Sequence, residues 1–465
     1  MNVVILSDHD AQGGAAVATC RVEAAISIEM LKIYARDGNR ENDVFRVVHF
    51  PDGTITPIAN LWYEESSAKR LLHRIPRKLL PSRFPRPNTP VFASERLREV
   101  LKALRPDIIN VHNLHAAAPW GWGPHLVEFC LEFAPVVWTL HDMWAFTGRC
   151  AFAYDCAKFL TGCDASCPTP HEEPKLAPER IQPAWEGRRA LFAQHRSDLV
   201  IVTPSRWLAA QAQRGLLARH RVEVIPYGIE RSFNLLWDLQ SARVKAHTSQ
   251  LLKGRLRFSH FNGVNWDGLT DPTFIPVPRE DARQRLSINP VGPVLLLAAF
   301  DLTERRKGAE ILPRLWQHVQ TRPLTVLTMG RGSITIDDPL IEVHNLGWID
   351  DDAKKALVYA AADALLHPAP ADNFPNVVLE AFACGTPAIA LPVGGLPEMV
   401  RPGVSGWLAD TATPAALGMA VDRALTDLAL GKNLRESSRV LAEKEYSLEL
   451  QGERYFQLFQ ELHLR

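Results

Sequence analysis

The sequence has no excess of charge of either sign: across 465 residues, 52 Lys and Arg stand against 52 Asp and Glu. Without net charge there is no bulk attraction to nucleic acid, so no nucleic-acid partner is expected and any basic surface must be local. No run approaches the roughly 18 apolar residues of a membrane-spanning helix. The start, MNVVILSDHD, lacks the basic opening and the longer apolar stretch of a secretory signal. A cytoplasmic protein is expected, at most peripheral on the inner face of the plasma membrane. The first turn carries no GxGxxG, which argues against a nicotinamide dehydrogenase. With 46% apolar and 22% charged residues the composition is that of a globular chain. The length exceeds one ordinary core, and two domains of roughly 200 residues follow.

Short apolar, β-branched runs alternate with helical patterns. NVVILS, DIINVHN, PVVWTLHD, DLVIVTPS and VEVIPYG fall in the first half. PVLLLAAF, PLTVLTMG, IEVHNLG, DALLHPA and TPAIALP repeat the pattern in the second. Runs apolar on both faces and followed by turn residues read as buried parallel strands with covering helices. The expected fold is α/β, with two Rossmann-like, doubly wound units in tandem. The stretch 231–285 between them lacks a clear period over much of its length and reads as a linker or insertion.

HPAPADNFPNVVLEAFACGTPAIALPVGG, residues 367–395, places Asp372 after a strand and Glu380 within a helical run. In open α/β sheets ligands bind beyond the carboxyl ends of strands. A carboxylate there can accept two hydrogen bonds from a vicinal diol such as a ribose. A helix start near residue 375 suits a phosphate. A solvated acid beside a helix-capping acid is the plainer alternative. ERRKGAEIL brings Arg306 and Lys307 to the end of another strand. Gly13 and Gly14 open a helix after the first strand, where backbone N–H groups can approach an anion closely or simply make a tight turn. VHNLHAAA and WTLHDMWAFTGRC put His112, His115, His141 and Asp142 at strand ends on the same sheet edge as Gly13. Three histidines at matching strand ends favour an active-site wall.

The stretch DNFPNVVLEAFACGTPAIALPVGGLPEMV resembles the donor signature of retaining glycosyltransferases of family 4. That signature has two Glu with seven residues between, an Ala-Cys-Gly-Thr-Pro turn, then Gly-Gly-x-Pro-Glu. VHNLH, WTLHDMWAFTG, the cysteines that follow and TPSRWLA narrow the resemblance to bacterial exopolysaccharide enzymes of the colanic-acid type. The resemblance implies the two-domain GT-B fold around a central cleft. Residues 1–230 would form the acceptor-side domain and 286–446 the nucleotide-sugar donor domain, with a terminal helix over 447–465 crossing back. It implies transfer of a hexose, with retention, from a UDP- or GDP-sugar to a saccharide acceptor, lipid-linked, in polysaccharide biosynthesis. No metal is required in the family. Glu380 would hold the ribose and Lys307, beside Arg306, the diphosphate. Asp372 stands where the family has its first Glu, near the donor sugar, with Asn373 and Phe374 beside it. Gly13 and Gly14 would face the diphosphate, and His112 or His141 the donor sugar or leaving oxygen. His115 and Asp142 would lie on the acceptor side. Asp301 stands where many members have a second basic residue. Two other readings are a GT-B nucleotide-sugar epimerase, which uses no acceptor, and a non-catalytic nucleotide-sugar-binding member.

Cys150, Cys156, Cys163 and Cys167 cluster as C-x5-C-x6-C-x3-C. Four thiolates could hold a structural zinc, although the spacing is not that of paired CxxC knuckles. Plain or bridged thiols are the other reading. The stretch 67–87 carries Lys69, Arg70, Arg74, Arg77, Lys78, Arg83 and Arg86 with no acid. It reads as a solvated loop or as a patch for an anionic membrane surface.

Overall fold

The computed structural model describes residues 1–7, 14–37, 43–49, 55–57, 90–112, 114–115, 123–170, 172–193, 196–229 and 274–465. Gly13, the basic stretch 67–87 and most of the linker lie outside these residues. Two sheets carry the chain. The first has the order β3-β2-β1-β4-β5-β6-β7. Its strands are β1 (Asn2–Ser7), β2 (Asp43–His49), β3 (Ile55–Pro57), β4 (Ile108–Val111), β5 (Val136–Thr139), β6 (Leu199–Thr203) and β7 (Arg221–Val224). All its pairings are parallel except β2 with β3. The second sheet, all parallel, has the order β10-β9-β8-β11-β12-β13. Its strands are β8 (Val294–Asp301), β9 (Leu324–Arg331), β10 (Ile341–Asn345), β11 (Ala364–His367), β12 (Ala388–Ala390) and β13 (Gly406–Leu408).

Six helices position the site: α1 (Gly14–Asp37), α2 (Pro178–Ala193), α3 (Arg206–Arg214), α4 (Asp352–Ala361), α5 (Asn376–Ala383) and α6 (Leu448–His463). β4, β5, β6, β11 and β12 are buried throughout. Strands sandwiched between helices need no polar face, which is why they read as unbroken apolar runs. In each sheet the strand order reverses beside its first strand, between β1 and β4 and between β8 and β11. A doubly wound sheet leaves a crevice at that point, beyond the strand ends.

The chain passes between the two units at 228–229 and again at 446–448. Ile229 and Ser447 pair there, and Ile229 N donates to the Tyr446 carbonyl at 2.8 Å. α6 then packs against the first unit, where Tyr455, Phe459 and Leu462 share a core with Val3, Ile5, Val22 and Ile26. Gly452 makes the crossing possible, since a Cβ there would stand 2.2 Å from the Ala25 carbonyl oxygen on α1. Among the described residues no helix is long and apolar enough to cross a membrane.

Candidate functional site between the two sheets

The loops after β8 and β11 meet at the second crevice. A single 3-10 turn, Arg305–Lys307, follows β8 and closes on Gly308 at φ +98°. A Cβ on Gly308 would stand 2.8 Å from the Pro368 carbonyl oxygen, so glycine lets this turn lie against the loop after β11. Lys307 Nζ thereby reaches Asp372 Oδ2 at 2.7 Å. His367 Nε2 lies 3.2 Å from the same oxygen, and Arg306 Nη1 is 3.9 Å from Oδ1. Burial opposes the charge on Asp372. Lys307, the His367 hydrogen bond and Arg306 nonetheless hold its carboxyl well below the usual range. The Gly-Gly pair of PVGG supports this acid from beneath. A Cβ on Gly394 would lie 1.7 Å from the Asp372 carbonyl oxygen, and one on Gly395 2.0 Å from that of Asn373. Asp301, in place of a second base, turns away to accept from Thr303 N at 2.8 Å and Thr303 Oγ1 at 2.6 Å.

Glu380 is no helix cap. It sits on the fifth residue of α5, and both oxygens are engaged. Tyr359, from α4, donates to Oε2 at 2.9 Å. Arg21, from α1 in the first unit, donates to Oε1 at 3.0 Å and to Asn376 Oδ1 at 3.0 Å. Burial raises the Glu380 carboxyl despite Arg21 and Tyr359.

Facing these, the ends of β4 and β5 carry a hydrogen-bonded chain. Asn110 Nδ2 donates to the Val137 carbonyl at 2.9 Å and to Thr139 Oγ1 at 3.0 Å, so its Oδ1 is the acceptor for His112 Nε2 at 2.8 Å. His112 Nδ1 meets His141 Nε2 at 3.1 Å, and His141 Nδ1 meets the Tyr227 hydroxyl at 2.5 Å. With both imidazoles neutral the chain has one direction. Tyr227 donates to His141, His141 to His112, and His112 to Asn110. Beside it, His115 Nε2 and Asp142 Oδ2 are 2.7 Å apart, and Trp144 N donates to Asp142 Oδ1 at 2.8 Å.

The two walls touch. Asn373 Nδ2 donates to the His141 carbonyl at 2.9 Å, while Ser205 Oγ donates to Asn373 Oδ1 at 2.5 Å. Phe374 meets the Tyr227 ring edge-on at 5.8 Å. Glu398 accepts from Arg206 N at 3.0 Å and Trp207 N at 2.8 Å, placing a carboxylate from the second unit on the N-terminus of α3. Gly14 begins α1. The structure thus brings His112, His141, His115, Asp142, Arg306, Lys307, Asp372, Asn373, Phe374 and Glu380 around one cleft.

The model of the Glycosyltransferase Family 4 domain matches residues 45–233, and that of Glycosyl transferases group 1 matches 293–427. The chain carries a family 4 glycosyltransferase domain followed by a group 1 glycosyltransferase domain. It is 26% identical over 306 residues to WcaC of Escherichia coli K12, named for colanic acid biosynthesis. That match covers 64% of this chain and 62% of the relative's length. A D-inositol 3-phosphate glycosyltransferase of Actinosynnema mirum is 34% identical over 34% of this chain and 44% of its own. The fold is GT-B. Sucrose-phosphate synthase from Thermosynechococcus elongatus superposes with a TM-score of 0.62 at 17% identity, covering 100% and 99% of the two chains. HepE from Anabaena, solved with UDP-glucose, gives 0.57 at 15% identity over 99% and 100%.

The expectation of a possible zinc site is corrected. No group of His, Cys, Asp or Glu able to hold a metal ion occurs among the described residues. Cys150, Cys156, Cys163 and Cys167 are free, and two of them, Cys150 and Cys163, are buried. Burial pushes the Cys150 thiol up to about 12 and the Cys163 thiol up to about 11. Cys150 and Cys163 pack into the apolar core of the first unit. Spacing in sequence does not reveal where the sulfurs point. Sequence reasoning also missed Arg21, Tyr359, His367 and Tyr227, and gave no role to Glu398. Glu398 left a signal as the acid of the Gly-Gly-x-Pro-Glu motif, and Arg21 as a charge inside the apolar stretch AAVATCRVEAAIS.

His141 makes stability depend on pH. Burial, opposed by Asp142 and aided by His115, lowers it from 6.5 to about 4. Between those values the unfolded chain binds the proton and the folded chain does not. Stability is therefore full above pH 6.5 and falls as pH drops toward 4, by on the order of 3 kcal/mol. Urea unfolding at pH 7 and 4.5 should show that loss in the wild type and a smaller one in His141→Gln. Equal losses would mean that His141 is not held neutral.

Proposed function

We propose that this protein is a retaining hexosyltransferase. It moves a sugar from a UDP- or GDP-sugar to a saccharide acceptor, carried on a lipid, in polysaccharide assembly. The observation that carries the reading is the convergence of Lys307, Asp372 and Glu380 at one switch point opposite His112 and His141 at the other. On this reading Lys307, with Arg306, takes charge developing on the leaving diphosphate. Glu380 accepts from the ribose hydroxyls, and Asp372 with Asn373 orients the donor sugar. Neither carboxylate is placed as a covalent nucleophile, since Asp372 is engaged by Lys307 and Glu380 by Arg21 and Tyr359. A front-face reaction fits. The glycosidic bond to the diphosphate oxygen breaks, the acceptor oxygen bonds to the same face of the anomeric carbon, and the acceptor proton passes to the departing phosphate. The contacts bridging the walls exclude water, which would otherwise hydrolyse the donor. The colanic-acid name of one relative supports a polysaccharide product.

The test is nucleotide release from a panel of UDP- and GDP-sugars, with and without membrane lipid extract, and the anomeric configuration of any product by NMR. One donor consumed only with the extract, with retention, is the expected result. A donor isomerised without acceptor would indicate an epimerase, and a donor bound but never consumed would indicate a binding protein.

A further inference from the structure

A cavity of about 310 Å³ opens in the first unit beside the proposed acceptor side. Trp144 lines it, and the same Trp144 packs against His115 at 5.3 Å and donates its backbone N–H to Asp142. The cavity therefore begins one side chain away from the His115–Asp142 pair. Arg149, Arg188, Lys175, His125 and Glu128 also line it. Arg149 is 2% exposed and Arg188 4% exposed. Neither has an ion-pair partner among the described residues. Arg149 donates only to carbonyl oxygens, those of Thr169, Glu172 and Pro174. Its Nε, fully buried, finds no acceptor. Arg188 likewise donates to the carbonyls of Trp144, Gly148 and Ala184 and stacks on the Trp144 ring at 4.3 Å.

Two buried guanidinium groups without a carboxylate are unusual, because a buried charge is strongly favoured to be paired. Carbonyl dipoles satisfy N–H groups but leave the net charge uncompensated. Lys175 at the rim is exposed and already paired with Glu173 Oε1 at 3.1 Å, so the imbalance rests on the two buried guanidinium groups, with Glu128 the acid among the lining residues. The imbalance favours an anion, and planar guanidinium groups suit both carboxylate and phosphate oxygens.

We propose that this cavity receives an acidic group, carboxylate or phosphate, borne by the acceptor saccharide. The inference rests on the transferase reading for the identity of the acceptor, but the binding it requires is measurable without turnover. Burial brings Arg188 down only to about 10, so it stays charged at neutral pH.

Gly187 supplies a clean block. It lies on α2 at the cavity wall, and a Cβ there meets nothing within 4 Å. Gly187→Leu fills open space, and leucine is a better helix former than glycine, so folding is retained. Calorimetric titration of the full chain with glucuronate, glucose 1-phosphate, inorganic phosphate and glucose tests the idea. Expected is binding of glucuronate or glucose 1-phosphate at least tenfold tighter than glucose, competed by inorganic phosphate, and weakened at least tenfold by Gly187→Leu and several-fold by Lys175→Ala. Preference for glucuronate would assign a uronate, and preference for the sugar phosphate a phosphorylated acceptor. Glucose bound as tightly as either acid, inorganic phosphate bound alone, no binding of any probe, or acid binding indifferent to Gly187→Leu would each overturn the proposal. Failure of the donor panel with acid binding intact would instead fall on the transferase reading.

Discussion

Lys307→Ala should lower kcat/KM for nucleotide release by about 10²–10³-fold, the usual effect of removing one preorganised group that stabilises developing charge. Lys307→Arg should not restore it. A longer planar fork in a space shaped for one ammonium 2.7 Å from Asp372 cannot reproduce the same point charge. Lys307 also has a structural duty, because it is largely covered, its side chain 16% exposed, and paired with Asp372. Truncating one partner of such a pair costs about 3–5 kcal/mol, since the other charge is left behind. A loss of activity could thus follow from a loosened site alone. The double variant Lys307→Ala/Asp372→Asn separates the two effects. It removes both charges, so much of the stability lost in Lys307→Ala should return while transfer stays low. Recovery of turnover together with stability would mean that Lys307 serves Asp372 and not the diphosphate.

Much of this site was legible because a short motif carries it. Lys307 and Asp372 follow strands that unbroken apolar runs mark plainly, and Glu380 lies in the helix after the second of them. The doubly wound order then sends all such strand ends to one edge. The strands left unread were those lacking a run. DVFRVVH in β2 is interrupted by Arg46, and β3 and β13 are three residues each. A run that short does not establish a period. Partners supplied from across the cleft were illegible for a different reason. Arg21 and Glu380 are 359 positions apart, and helical periodicity says only that Arg21 lies on an inner face of α1. Tyr227 reads as the end of the strand run VEVIPYG, and nothing local hints that its hydroxyl ends a chain of two imidazoles. The cysteine cluster erred in the opposite sense. Its spacing was conspicuous, yet packing decided the fate of the sulfurs.

Arg21→Ala should have the second large effect, and pH reveals its cause. Arg21 ties Glu380 and Asn376 of the second unit to α1 of the first, so it acts as a positioning residue that holds the cleft shut around the proposed ribose site. Without it Glu380 keeps the Tyr359 hydrogen bond and the weaker pull of Lys355, and burial, which already raises its carboxyl, loses its main opposing charge. A group whose folded pKa lies above its unfolded value binds protons more readily when folded. It therefore costs stability as pH rises above the unfolded value of 4.5. Removing Arg21 widens that window. The stability gap between wild type and Arg21→Ala should be small near pH 5 and grow toward pH 8, to about 3–5 kcal/mol, the range for breaking a buried pair. The same shift should move the acid limb of kcat/KM to higher pH, because a protonated Glu380 can no longer accept two hydrogen bonds from a diol. Donor KM should rise on the order of tenfold, the equivalent of one modest charged hydrogen bond. Arg21→Ala/Glu380→Gln should lose the pH dependence of the stability gap while remaining poor in donor binding. A gap that does not change with pH, together with an unaltered KM, would reduce Arg21 to an ordinary buried contact and leave closure of the cleft to Asn373, Ser205 and Glu398.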